Sequence, residues 1–203
     1  MRPQPDMVHR IKKLFRRIGP EACGSQIVEF ALSVPLLVLF VVGIFDFSGA
    51  LVLKHRLTNA AREAARVAAA DPANDLAKFS TPVPVSVSDA AQVVDNYLLS
   101  EKINDCGLNS PTWSNTTGSL TWLAKGTGCT SVSTTGLQVT INRGCISTQT
   151  MTLGGNSGTV YLVGTCVSIV YPYVWQFTSA AGLFSRFVGP SNITTSAAAF
   201  NEN

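Results

Sequence analysis

The sequence predicts an α+β protein, with a long N-terminal transmembrane helix followed by a disulfide-containing, mainly antiparallel β domain with one or two short helices. Three observations support this class. An apolar segment begins near residue 25, four cysteines lie in the second half of the chain, and strand-like runs between turn-forming residues fill that half. With 203 residues, 46% hydrophobic and 13% charged, the chain can form one folded core and is too apolar to be disordered.

The apolar segment lies between Glu29 and Lys54, and Asp46 is its only ionisable residue. As a helix, its roughly 24 residues extend about 36 Å, enough to cross a bilayer. We therefore interpret it as a membrane-spanning helix. A cleaved secretory signal, with a loose cleavage site at residues 48–50, stays open as an alternative.

The helix is expected to continue beyond the apolar segment. Residues 54–70 are rich in alanine and other strong helix formers, and Asp71-Pro72 then stops the helix. One helix is therefore predicted from about Ser25 to Ala70. Pro35 removes one backbone hydrogen bond inside it and predicts a kink or a local loosening.

The charge distribution bears on topology and on partners. Residues 1–24 carry six Lys or Arg against two Asp or Glu, whereas the rest of the chain has a net charge of −1. The basic N-terminal stretch favours a cytoplasmic N-terminus, although four basic residues between Lys54 and Arg66 oppose it in part. Because the later part of the chain has no positive surplus, nucleic acid is not expected as a partner.

The cysteines indicate the compartment of the second half. Cys23 lies in the basic stretch, and the other four are separated by 23, 16 and 21 residues: Cys106, Cys129, Cys145 and Cys166. Without a C-x-x-C pair, these four favour two disulfides in an oxidising compartment over a zinc site. Three connectivities stay open, as do four free thiols.

Several shorter elements are predicted after residue 80. An edge strand at Thr81–Ser88 precedes a helix that Ser88 and Asp89 cap and that ends near Ile103. A short amphipathic helix is expected around Trp175–Phe187. The remaining predicted elements are strands, at Leu120–Leu123, Leu137–Asn142, Thr148–Leu153, Val160–Tyr173 (a central strand covered on both faces) and Ile193–Phe200.

The most informative motif joins the basic stretch to the apolar helix. Gly24 ends the basic stretch, Glu29 follows five residues later, and Phe30 opens the apolar run, an arrangement that resembles the prepilin pattern. A peptidase at the cytoplasmic membrane face would cut after Gly24, where the missing side chain admits close backbone approach, and leave Ser25 as the new amino terminus.

Glu29 lies about one turn into the apolar helix, where an unpaired carboxylate costs a few kcal/mol. The new amine of a neighbouring subunit would supply a partner, so the charge would favour assembly and set the axial register. An interfacial Glu29 among lipid headgroups is the alternative.

Residues 24–67 resemble the TadE-like minor pilins, or pseudopilins, of tight-adherence (type IVc) pilus systems. The shared features are Val28-Glu29-Phe30-Ala31, Pro35, Gly43-Ile44 with an acidic residue soon after, and 59–66. The resemblance implies processing by a prepilin peptidase, assembly with a major pilin and other minor pilins, and a role in pilus biogenesis and cell adhesion. Major pilins of this class have a very short mature chain, usually with Tyr after the Glu, so Phe30 and the large domain indicate a minor component.

Three regions follow from this interpretation. They are a basic prepilin leader (1–24), a transmembrane and pilin-like helix (25–70) and an extracytoplasmic α+β domain (71–203). The expected location is the bacterial inner membrane, in a single pass with the N-terminus cytoplasmic and the C-terminal domain periplasmic, or incorporated in the pilus. Asp46 lies roughly 25 Å beyond Glu29 and is expected near the outer interface, against lipid headgroups or, like Pro35, against a partner helix.

The sequence argues against an enzyme. The only histidines are His9 and His55, which removes a histidine-dependent triad and most zinc chemistry from the outer domain. No cofactor or metal is expected, and Asp89, Asp95 and Asp105 lack calcium-loop spacing, so we interpret them as helix caps or surface charges.

Two rivals to the minor-pilin interpretation stay open, an unprocessed membrane-anchored adhesion or binding module and a membrane-tethered hydrolase. The three tryptophans, Trp113, Trp122 and Trp175, are expected in the core. Any surface ligand of the outer domain is left unidentified.

Overall fold

The computed structural model describes residues 22–72, 74, 76, 83–115, 118–129, 136–175 and 191–201. Its elements, in chain order, are α1 (Ala22–Ala70), α2 (Val85–Ser100), β1 (Thr112–Asn115), β2 (Thr121–Lys125), β3 (Gln138–Leu153), β4 (Asn156–Tyr173) and β5 (Ser191–Phe200). The five strands form one antiparallel sheet in the order β1-β2-β3-β4-β5. The predicted fold class, a long N-terminal helix followed by an antiparallel sheet with a short helix and two disulfides, is confirmed.

The chain divides into two compact units, residues 1–45 and residues 46–203. The described part of the first unit is the N-terminal half of α1. Pro35 lies inside this helix, which continues past it, and the predicted kink stays a prediction.

The second unit is organised around an alanine-rich face of α1. Six buried residues of this helix share one core with α2 and the sheet, namely Leu57, Ala60, Ala61, Ala64, Ala65 and Ala68. Small alanine side chains let the helix approach its neighbours closely. The apolar stripe of α2 recurs at helical spacing and contributes Val87, Ala90, Ala91, Val94 and Leu98.

The sheet supplies the other side of this core. Alternate residues of β2, β3 and β4 point into it, including Trp122, Ile141 and Val167. β4 lies between β3 and β5, as expected of a central strand. The prediction that both faces of β4 are covered is wrong. Alternate residues from Thr165 to Tyr171 are buried, the residues between them are only partly buried, and most of Ser157–Val163 is exposed.

A β-bulge in β3 explains how one disulfide forms. Asn142 pairs with Cys166 and Cys145 pairs with Gly164, so two residues, Arg143 and Gly144, stand opposite one residue of β4. Side chains alternate between faces along a strand, and the extra residue therefore brings Cys145 to the face that carries Cys166. The two disulfides are Cys106–Cys129 and Cys145–Cys166, which selects one of the three open connectivities.

The structure corrects the predictions around residues 81–89. α2 begins at Val85, directly after Pro84, so the predicted strand is wrong for residues 85–88, and residues 81–82 lie outside the described part. Ser88 and Asp89 are not caps, because both lie inside the helix, where the Ser88 hydroxyl donates to the Val85 carbonyl. The alternating Val-Ser run fits both the period of a strand and the period of a helix, and the apolar residues that follow it continue the helical period.

The other boundaries differ less. The predicted strands at 137–142 and 148–153 are parts of one strand, β3, and the short strand β1 was not predicted. Beyond Trp175, the predicted amphipathic helix lies outside the described residues.

Candidate assembly site on the N-terminal helix

The N-terminal half of α1 presents an apolar surface that its own chain leaves exposed. Every described side chain from Gln26 to Val41 is exposed, and Ile27 and Phe30 reach 69% and 70%. Among the described residues, this is the one helix long and apolar enough to cross a membrane. Such a surface needs lipid or other helices as cover, so the helix suggests membrane anchoring.

Glu29 lies on this exposed half of α1. Its backbone carbonyl accepts a hydrogen bond from the Ser33 hydroxyl at 2.8 Å. Gly24 and Ser25 lie in the first turns of α1, and cleavage between them stays a prediction. The structure thus places the glycine, the carboxylate and Phe30 on one continuous helix.

Asp46 marks a change along α1. It is only 8% exposed although the neighbouring Phe47 is 59% exposed. The Tyr173 hydroxyl, at the end of β4, lies 3.4 Å from the Asp46 carbonyl oxygen, to which it donates. Burial, and then the negative charge of Asp46, raise the pKa of Tyr173. Asp46 therefore packs against its own chain, and the expected contact with a partner helix stays a prediction.

Gly49 allows this approach, since a Cβ atom there would lie 3.3 Å from the Tyr173 hydroxyl oxygen. Further along α1, the Thr58 and Thr195 hydroxyls are hydrogen-bonded at 2.7 Å. Arg56 forms an ion pair with Glu101, with Nε 3.4 Å from the carboxylate, but both side chains are partly exposed, which limits its contribution to about 1 kcal/mol at most. The buried alanine face therefore contributes most of this packing.

Arg143 is the residue that sequence reasoning missed. It is 2% exposed, and its guanidinium donates to the Thr165 hydroxyl at 3.0 Å and to the Asp71 backbone carbonyl at 2.9 Å. Asp71 directly follows α1, so the cation lies where the helix dipole is negative. The Thr165 hydroxyl in turn donates to Asn201, which follows β5. The available signal was Arg143 itself, the one charged residue of β3.

Asp95, on α2, has Asp105 as an interacting neighbour. Asp95 is 6% exposed, so its interpretation as a cap or surface charge is wrong. Burial raises the pKa of Asp95, and the charge of Asp105 and a hydrogen bond to it raise that pKa further. In the part of the chain that the structure describes, no three His, Cys, Asp or Glu side chains cluster as metal ligands do.

The tryptophans lie at different depths. Trp122 is buried in the core and Trp113 is partly buried against it, so the core prediction is confirmed for Trp122 and in part for Trp113, whereas Trp175 is partly buried. Trp175 stacks edge-on against Tyr173, with ring centroids 5.3 Å apart.

These features define a class of protein with one long apolar N-terminal helix whose second half is built into an antiparallel α+β unit. The family model described as TadE-like protein matches residues 24–66. The match begins at Gly24 and includes Glu29, Phe30 and Asp46, so the resemblance expected for this segment is confirmed. It covers about a fifth of the chain. No curated protein and no solved structure matches the chain significantly.

Proposed function

We propose that this protein is a minor pilin, or pseudopilin, in the biogenesis of a tight-adherence pilus, processed after Gly24 and assembled through its N-terminal helix. The observation that carries the proposal is the TadE-like match at residues 24–66. Its first half coincides with the part of α1 whose side chains the chain itself leaves exposed. In this function the protein is structural and catalyses no reaction.

The proposed mechanism pairs the Glu29 carboxylate with the amine that cleavage creates on Ser25 of a neighbouring subunit. Both groups lie in apolar surroundings, where an ion pair is favoured over two separate charges. Ser25 and Glu29 are four residues apart, about 6 Å along a helix, so parallel helices joined this way would be staggered by about that distance. The pairing would stabilise neighbouring helices in one axial register only, as buried polar groups do in coiled coils.

The proposed location is the bacterial inner membrane, with the N-terminus cytoplasmic and the α+β domain outside. The basic residues before α1 support this orientation. The two disulfides, Cys106–Cys129 and Cys145–Cys166, support an oxidising compartment for the domain. The partners we propose are a prepilin peptidase, a major pilin and other minor pilins.

The test is the intact mass and N-terminal sequence of the protein from native membranes. A start at Ser25 is expected, and a Gly24→Val variant, in which a branched side chain blocks close approach, should keep its leader. Glu29→Ala should be cleaved yet fail to support piliation, whereas the control Glu63→Ala, on the exposed side of the same helix, should behave as wild type. Normal piliation by Glu29→Ala would contradict the pairing mechanism.

One observation favours an alternative, an unprocessed membrane-anchored adhesion or binding module. β3 and β4 extend as a two-stranded ribbon beyond the last pairs of β2 and β5, at Asn142 and Gly164. One face of this ribbon carries Ile146, Tyr161 and Val163, which are 63%, 68% and 52% exposed. A protein in native membranes that starts at Met1 would support this alternative.

A further inference from the structure

We propose that the end of β4, Tyr173-Val174-Trp175, is a lipid-docking surface that inserts at the boundary between headgroups and acyl chains, beside α1. The proposal rests on the membrane anchoring contained in the proposed function, and it adds a second membrane contact that belongs to the α+β unit.

The first argument is position along α1. The Tyr173 hydroxyl contacts the helix at Asp46 and Gly49. Gly49 lies five residues before Lys54, the residue that ends the apolar run, so the Tyr173 contact lies near the outer end of that run. The end of β4 is thus held at interfacial depth.

The second argument is side-chain chemistry. Tyrosine and tryptophan concentrate at membrane interfaces because one end of each is apolar and the other forms hydrogen bonds. Tyr173 and Trp175 are partly buried and stack at 88°, and Val174 between them is 48% exposed. An exposed valine flanked by these two rings suits a shallow position in lipid.

The third argument is the charge on the adjoining helix. Lys54 and His55 are exposed and follow Gly49 by about 8 Å along α1, and no charged residue lies between them and Gly49. A lysine at that height reaches lipid phosphates while its stem lies along apolar surface. Along α1 the order is therefore the apolar stretch, the Tyr173 contact and then the basic side chain, as at the interfaces of membrane proteins.

The experiment measures how lipids quench tryptophan fluorescence of the full-length chain in vesicles of phosphatidylcholine and phosphatidylglycerol. One vesicle set carries bromine near the headgroup end of the acyl chains, and another carries it near the chain ends. We expect the shallow bromines to quench more, and Trp175→Phe to abolish most of that quenching. The control Trp113→Phe, a partly buried residue of β1, should leave the quenching intact.

The outcomes separate the two proposals. A chain that does not float with the vesicles overturns the membrane anchoring and this surface together. If the chain floats but shallow bromines do not quench it, or quench wild type and Trp175→Phe equally, the surface is overturned and the anchoring stands. Stronger quenching by deep bromines also overturns interfacial docking. Neither the flotation nor the quenching measurement depends on pilus assembly.

Discussion

Replacing Arg143 by methionine tests how the end of α1 is attached to the sheet. Methionine keeps an unbranched, apolar side chain but removes the two hydrogen bonds that the guanidinium donates to Thr165 and Asp71. Hydrogen bonds from a charged donor contribute about 1.5–3 kcal/mol each, so their loss costs roughly 3–6 kcal/mol. Removing a buried cation also relieves a desolvation penalty, which reduces that cost.

The net expectation is a loss of about 2–4 kcal/mol in the free energy of unfolding, because Arg143 is 2% exposed and Thr165, one of its two acceptors, is fully buried. For a folded unit of this size, each kcal/mol lowers Tm by about 2–4 °C, so Tm should fall by roughly 5–15 °C. The assay is thermal unfolding of the full-length protein in detergent, followed by circular dichroism.

The matched control is Arg66→Met on α1. Arg66 is exposed and forms only a weak ion pair with Glu63 at 3.5 Å, so its loss should change the unfolding free energy by less than about 0.5 kcal/mol. An Arg143→Met protein as stable as Arg66→Met would refute the argument that the buried cation secures the end of the helix.

Two further predictions concern the α+β unit. Asp95 has a pKa raised above its ordinary value of 3.8, so its folded form binds a proton more readily than the unfolded chain, and its stabilising effect is lost as pH rises through the raised pKa. Asp95→Asn should therefore flatten that decline and stabilise the protein at pH 7 relative to wild type in urea titrations, and an unchanged pH profile would contradict the raised pKa of Asp95. Gly164→Ala should destabilise the protein by more than about 1 kcal/mol, because its Cβ would lie 2.5 Å from the Ala199 carbonyl oxygen. Gly158→Ala, in open space on the same strand, is the control, and equal melting temperatures for the two variants would refute the steric argument.

The helix and the motif were predictable because their signals are local. Glu29 and Lys54 bound an almost uncharged run, and the alanine-rich stretch before Asp71-Pro72 favours helix whatever surrounds it. The predicted helix of 25–70 and the structural helix Ala22–Ala70 therefore agree closely. The strand predicted at 81–88 failed because a short alternating Val-Ser run fits two periods.

The sequence by itself determined the α+β class, the long helix, the even set of four cysteines and the motif around Gly24 and Glu29, since each depends on composition or on spacing along the chain. Only the tertiary structure decided which cysteines pair, why Arg143 is buried, and that Tyr173 lies against Asp46. These contacts join residues far apart in sequence. They depend on strand register and on one bulge opposite Thr165, and a shift of a single residue there would move every following side chain to the other face.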